Sequence, residues 1–240
     1  MKLICTTILS LALAFGASAV LAQDLAQDYT SLSAEDYAAA VKKWRFLADQ
    51  GYADAQNSLG HMYESGKGVA EDVAEALKWY QLAADQGYAD AQNSLGDMYE
   101  NGKGVAVDDV EAAKWYQLAA EQKLADAQNS LGVMYENGKG VAENNVAAVK
   151  WYRLAARQEL TAARYNLGVM YENGKGVAVD DAEALKWYRL AAEQGYAKAQ
   201  NSLGNMYYAG KGVAEDVAEA VKWYQLAAEQ GADAQYNLGV

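Results

Sequence analysis

Six tryptophans, Trp44, Trp79, Trp115, Trp151, Trp187 and Trp223, are all that this 240-residue chain contains, and they stand 35, 36, 36, 36 and 36 residues apart. A period of that length constrains the fold more than any composition. Each copy must be one supersecondary unit whose apolar faces are covered by its neighbours. Glycine keeps the same beat. Apart from Gly16, every Gly falls in one of three contexts: Leu-Gly (Gly60, Gly96, Gly132, Gly168, Gly204, Gly239), a Gly-Lys-Gly turn (Gly66/Gly68 through Gly210/Gly212) and Gln-Gly (Gly51, Gly87, Gly195, Gly231). Residues 37–240 therefore divide into a leading half copy, five copies at 53–88, 89–124, 125–160, 161–196 and 197–231, and a second, truncated half copy at 232–240.

Within a copy the pattern predicts two helices. Ala55, Leu59, Met62 and Tyr63 form an apolar stripe of helical period, and Gly66 closes that helix as a left-handed cap. Asp72 opens the second helix as N-cap, with Glu75 three residues on to complete a capping box. The pair recurs as Asp108/Glu111, Asp180/Glu183 and Asp216/Glu219, whereas the third copy has Asn144 and Ala147. Ala76, Trp79, Tyr80, Ala83 and Ala84 point inward, and the helix ends at Gly87; where Lys123 and Glu159 replace that Gly, a different cap or fraying is expected. Gly60 lies mid-helix, where Gly costs about 1 kcal/mol relative to Ala. Its recurrence predicts a close helix approach, with the Trp-Tyr pair of the facing helix filling the space. The chain has no Pro, where average usage of about 5% would give roughly a dozen. Gly-Lys-Gly turns and Asp caps do that work instead.

Residues 1–22 read as a secretory leader: Met1-Lys2, an apolar run from Leu3 to Phe15, then Ala17-Ser18-Ala19 and Val20-Leu21-Ala22, so that cleavage follows Ala19 or Ala22. The run is shorter than the ~20 apolar residues of a membrane span. Residues 23–36 form an N-terminal segment leading into the first helix. Cleavage removes Cys5, the only cysteine, which suits a periplasmic or secreted protein without membrane insertion.

The remaining composition excludes much chemistry. One Cys and one His rule out disulfide frameworks and multi-ligand zinc or iron sites, and no cofactor motif occurs. A net charge of −12 repels nucleic acid and anionic membranes. No Ser-x-x-Lys or Gly-x-Ser-x-Gly is present, so no catalytic residue is assigned. The adjacent carboxylates Asp108-Asp109 and Asp180-Asp181 lie at helix N-termini, where capping and the helix dipole account for them.

The unit Ala-Asp-Ala-Gln-Asn-Ser-Leu-Gly-x-Met-Tyr-Glu-x-Gly-Lys-Gly-Val-Ala, followed by Ala-x-x-Trp-Tyr-x-Leu-Ala-Ala-x-Gln, resembles the Sel-one-like repeat (SLR), the longer-looped relative of the tetratricopeptide repeat. The resemblance covers about Tyr37 to Val240. It implies an all-α fold, an α/α right-handed superhelical solenoid, whose concave side serves protein–protein interaction in a non-enzymatic scaffold. A cysteine-rich branch linked to β-lactam binding or hydrolysis ties each repeat with a disulfide; a chain with no cysteine beyond Cys5 carries nothing over from it.

Opposite the buried stripe of the first helix stand Asp54, Asn57, Ser58, His61 and Ser65. Stacked copies would form a strip, with Asn57, Asn93, Asn129 and Asn201 as one column. Those amides could hold an extended peptide backbone, or satisfy loop backbone in the adjacent repeat. The column after Leu-Gly varies: His61, Asp97, Val133, Val169, Asn205. The Asn column switches to Tyr165 and Tyr236, and the Asp column to Ala162 and Lys198. Val133, Tyr165 and Val169 thus make the middle apolar, either as an interface centre or as drift on a solvated face. Arg153, Arg157, Arg164 and Arg189 concentrate in the third and fourth copies, to receive an acidic partner or as solvated ends. The lysine ladders, Lys67 to Lys211 in the turns and Lys78 to Lys222 behind the capping Glu, read as structural. The expected partner is a protein or peptide; the alternatives are a cell-wall glycan stacked on the many tyrosines and, after it, a β-lactam-type hydrolase.

Overall fold

The computed structural model describes residues 34–229; the leader, residues 23–33 and the half copy at 232–240 with Tyr236 lie outside them. These residues form the helices α1 (Ala34–Ala48), α2 (Ala53–Ser65), α3 (Val73–Asp85), α4 (Ala89–Asn101), α5 (Asp109–Glu121), α6 (Ala125–Asn137), α7 (Asn145–Arg157), α8 (Thr161–Asn173), α9 (Asp181–Ala192), α10 (Ala197–Ala209) and α11 (Val217–Ala228). They fall into two compact units, one ending at Gln86 and holding α1–α3, the other beginning at Gly87 and holding α4–α11. Within each unit, helices adjacent in sequence pack on one another, giving an all-helical solenoid of two-helix repeats. Each repeat has a first helix (α2, α4, α6, α8, α10) and a second (α3, α5, α7, α9, α11).

Caps set these lengths. Gly66 is left-handed (φ 66°) and its N–H donates to the Met62 carbonyl; Gly102, Gly138, Gly174 and Gly210 repeat the arrangement. At the second helix, Asp72 accepts from the Glu75 N–H at 2.9 Å, and Asn144 from the Ala147 N–H at 3.0 Å. The capping box, however, forms only by half. The cap's own N–H donates to the tyrosine carbonyl of the preceding helix, Asp72 to Tyr63 at 2.9 Å and Asp108 to Tyr99 at 3.0 Å. The freed carboxylates of Glu75, Glu111, Glu183 and Glu219 take Lys78, Lys114, Lys186 and Lys222 at 2.7–3.0 Å. One amide thus stitches the two helices of a repeat together, and one lysine ladder neutralises what remains.

The expectation of altered helix ends at Lys123 and Glu159 is also corrected. Both adopt positive φ (71° and 67°) and keep the turn that glycine makes elsewhere. Leu124 and Leu160 N–H donate to the Ala119 and Ala155 carbonyls, as Tyr196 does to Ala191 beside Gly195. Packing of the next helix therefore outweighs the local penalty of a left-handed side chain, about 1–2 kcal/mol.

Tyrosine, rather than the Trp-Tyr pair, fills the gap left by the mid-helix glycines. A Cβ on Gly60, Gly96, Gly132, Gly168 or Gly204 would lie 2.5–2.7 Å from the ring of Tyr80, Tyr116, Tyr152, Tyr188 or Tyr224. The first four of these rings are almost wholly buried. The tryptophans from Trp79 onward are half-buried. Trp151, Trp187 and Trp223 lie against clusters formed by the second helix of the preceding repeat and the first helix of their own, so they cover the junctions between repeats. At those junctions the second Gly of the turn is also required. A Cβ on Gly140, Gly176 or Gly212 would overlap the backbone carbonyl of Asp109, Asn145 or Asp181 in the repeat before.

Candidate partner-binding strip

Opposite the apolar stripe of α2, Asp54 and Ser58 are half-buried, His61 and Ser65 are exposed and Asn57 is buried, and the tyrosine hydroxyl of the second helix bonds to this face. Tyr116 OH lies 2.6 Å from an Asp97 carboxylate oxygen and 2.9 Å from Glu100; Tyr224 OH donates to Asn205 at 2.7 Å. Where the variable column is Val133 or Val169, Tyr152 and Tyr188 donate to Glu136 (2.9 Å) and Glu172 (2.7 Å). In the first unit, Tyr80 OH reaches His61 Nδ1 (2.7 Å) and Glu64 (2.8 Å). The lone His is thereby a hydrogen-bond partner of a core tyrosine. Burial first, and these carboxylates second, push the phenols of Tyr116, Tyr152 and Tyr188 well above the usual tyrosine range.

The same glutamates bind the next repeat. Lys139 reaches Glu100 at 3.5 Å, Lys175 reaches Glu136 at 3.1 Å and Lys211 reaches Glu172 at 3.6 Å. Each of these three turn lysines is therefore a repeat-to-repeat link, 39 residues from its acid. Sequence reading missed this chain of tyrosine, glutamate and lysine. The matched periodicity of Glu100, Glu136, Glu172 and of Lys139, Lys175, Lys211 is the signal that could have found it.

The asparagine column lies on the strip but is not uniform. Asn57 is buried (7% exposed), whereas Asn93, Asn129 and Asn201 are half-buried. Asn93 donates to Asp97 at 3.4 Å, and its side-chain carbonyl oxygen is buried and accepts no hydrogen bond from the described residues. Asn129 accepts from Asn166 of the next repeat at 2.9 Å, which brings the first helices of repeats three and four together along this line. Tyr165 leans on Tyr188 (5.6 Å between ring centres) and meets Tyr196 edge-on at 5.3 Å. Val133, Tyr165 and Val169 are half-buried and pack on the clusters beneath them, so the apolar centre of the strip is rigidly held.

The four arginines do not form one patch. Arg153 donates to the Tyr171 hydroxyl at 2.7 Å and stacks over its ring; Arg189 does the same to Tyr207. Each ties a second helix to the first helix of the following repeat. Arg164 occupies the column of buried glutamines and pairs with Glu159 at 3.5 Å, its side chain 11% exposed. Arg157 stays exposed in the last turn of α7, where the helix dipole favours it. The buried glutamines were not anticipated. Gln56, Gln128 and Gln200 donate to the carbonyls of Ala48, Ala120 and Ala192, and the oxygens of Gln56, Gln92 and Gln128 accept from Gln86, Gln122 and Gln158.

Tyr80, Tyr116, Tyr152 and Tyr188 are buried and offer no ring face to a sugar. Among the described residues, no three His, Cys, Asp or Glu side chains are grouped to hold a metal ion, and no helix is long and apolar enough to cross a membrane.

The Sel1 repeat matches residues 53–88, 89–124, 125–160, 161–196, 197–231 and 232–240. A solved protective antigen present in uropathogenic Escherichia coli strains, displaying an SLR fold, is 43% identical with a TM-score of 0.78; the match covers 82% of this chain and 42% of that one. The chain thus spans less than half of that antigen. A Sel1 repeat protein from Oxalobacter formigenes is 37% identical with a TM-score of 0.79, over 82% of this chain and 79% of that one. An immunity protein from Pseudomonas aeruginosa, 22% identical with a TM-score of 0.58 over 91% of this chain and 82% of that one, shares the fold alone. No curated protein matches the sequence. With its six matched segments covering most of the chain and two solved Sel1-type structures above one-third identity, this chain belongs to the Sel1-repeat family.

Proposed function

We propose that the chain is an exported, non-enzymatic scaffold that binds a protein or peptide segment along the strip of first-helix residues. The observation that carries this reading is the contrast between columns. Residues that recur in most repeats are engaged in the fold, the tyrosines under glycine joining the two helices of a repeat and turn lysines joining neighbouring repeats. Residues that break the pattern on the strip, Val133, Tyr165 and Val169, form a half-buried apolar centre flanked by polar groups, the arrangement of an interface core and rim. The leader pattern of residues 1–22 supports export to the periplasm or beyond.

A photo-cross-linking residue placed at Asp126, exposed on the strip, is expected to trap a discrete protein adduct in the native cell. The same residue at Lys222, exposed on the second helix of repeat five, should not. Equal labelling from both positions, or from neither, contradicts the proposal. A chain that instead sediments with isolated peptidoglycan favours the glycan reading.

A further inference from the structure

The strip of the second compact unit has a charge order. The second residue of α4, α6, α8 and α10 is Asp90, Asp126, Ala162 and Lys198 in turn. The first turn of a helix favours an anion because its unpaired N–H groups and dipole are positive there. Asp90 and Asp126 obey that rule; Lys198 opposes it, so helix stability does not explain the lysine. Asp90, Asp126 and Lys198 are all exposed, and none enters an ion pair within 4 Å among the described residues. Between the acidic and basic ends lie Val133, Tyr165 and Val169, on a surface made continuous by the Asn166–Asn129 bond and the Tyr165–Tyr196 contact.

Building on the scaffold reading above, we propose that this strip selects an extended peptide segment by charge order. A basic residue lies over Asp90 and Asp126, an aliphatic or aromatic residue over Val133, Tyr165 and Val169, and a carboxylate over Lys198. Charges at the rim contribute orientation and rejection of wrong partners more than affinity. A segment basic at both ends meets Lys198 with like charge, and a segment acidic at both ends meets Asp90 and Asp126 the same way.

Four fluorescent twelve-residue peptides with blocked termini and a shared Leu-Tyr-Leu centre test the order. Their ends carry paired Lys or paired Asp in the four combinations, and binding to the full chain is read by anisotropy. At least one mixed-charge peptide is expected to bind ten-fold or more tightly than both uniform ones. In Lys198→Asp, which follows the dipole rule and so keeps the fold, the preference should move to the peptide basic at both ends. A preference that Lys198→Asp leaves unchanged, or a wild-type chain that prefers a uniform peptide, overturns the charge order. Binding of none of the four also overturns it, while the scaffold reading stands or falls separately on cross-linking from Asp126.

Discussion

Replacing Gly132 by Ala sets helix propensity against packing, and the two effects have opposite signs. Gly132 is in the interior of α6, so propensity alone favours Ala by about 1 kcal/mol. The added Cβ would stand 2.6 Å from Tyr152 Cε1 and 2.7 Å from Cδ1, whereas carbon atoms pack at about 3.5–4.0 Å. The ring has to retreat by roughly 1 Å from a site where it is wholly buried, and overpacking of this kind costs about 1–3 kcal/mol. Retreat also draws the hydroxyl from Glu136, and a hydrogen bond to a charged group is worth about 1.5–3 kcal/mol. Less the propensity gain, the sum is a destabilisation of about 1.5–5 kcal/mol. Urea unfolding followed by circular dichroism at 222 nm should show the midpoint falling by about 1–2.5 M, taking a slope of roughly 2 kcal/mol/M. In a Tyr152→Leu background, where the ring is gone, the same Gly132→Ala change should instead be neutral or stabilising. A higher midpoint for Gly132→Ala alone, or additive effects in the double variant, refutes the idea that this glycine exists to admit the tyrosine.

Two further outcomes follow from strain and from titration. Lys123→Gly relieves a left-handed side chain at φ 71°. Against the greater freedom glycine gives the unfolded chain, the net gain should be about 0.5–1 kcal/mol, read as a rise of a few degrees in Tm. The buried phenols of Tyr116, Tyr152 and Tyr188 ionise above the unfolded value of about 10, so their contribution is intact below that pH and is lost as pH rises beyond it. Absorbance at 295 nm should therefore show these three ionising only as the helical signal collapses. Ionisation of these three near pH 10 with helicity intact contradicts their placement.

Much of this architecture was legible because it is local. A left-handed cap is read from one glycine, and an N-cap from one Asp or Asn before an apolar helical stripe, since both depend on backbone within four residues. The mid-helix glycines were legible as points of close approach because nothing else accounts for Gly inside a helix. What filled the gap was not: Trp79 and Tyr80 are adjacent and both aromatic, and only the packed structure turns the tyrosine under Gly60 and leaves the tryptophan at the junction. The capping box failed because its amide was claimed by Tyr63, a residue of the other helix. Longer links were hidden for the same reason. Arg153 finds Tyr171 18 residues on, and Lys175 finds Glu136 39 residues back, so charges that look free in sequence are spent within the fold. Arg164, read beside other arginines as a possible basic patch, sits instead in a buried column that sequence polarity alone presents as surface.

On the reading proposed above, recurring residues build the solenoid and pattern-breaking residues on the strip meet a partner. The most direct measurement is cross-linking from Asp126 in a variant that restores the repeat pattern on the strip, Ala162→Asp, Tyr165→Asn and Lys198→Asp, with helicity followed in parallel. The two new acids sit in first helical turns, where each is favourable by about 0.3–1 kcal/mol, offsetting part of the lost Tyr165 packing. The variant is expected to keep a helical fold melting within a few degrees of the parent and to give a partner adduct reduced at least ten-fold. An undiminished adduct, or a chain that no longer folds, contradicts that reading.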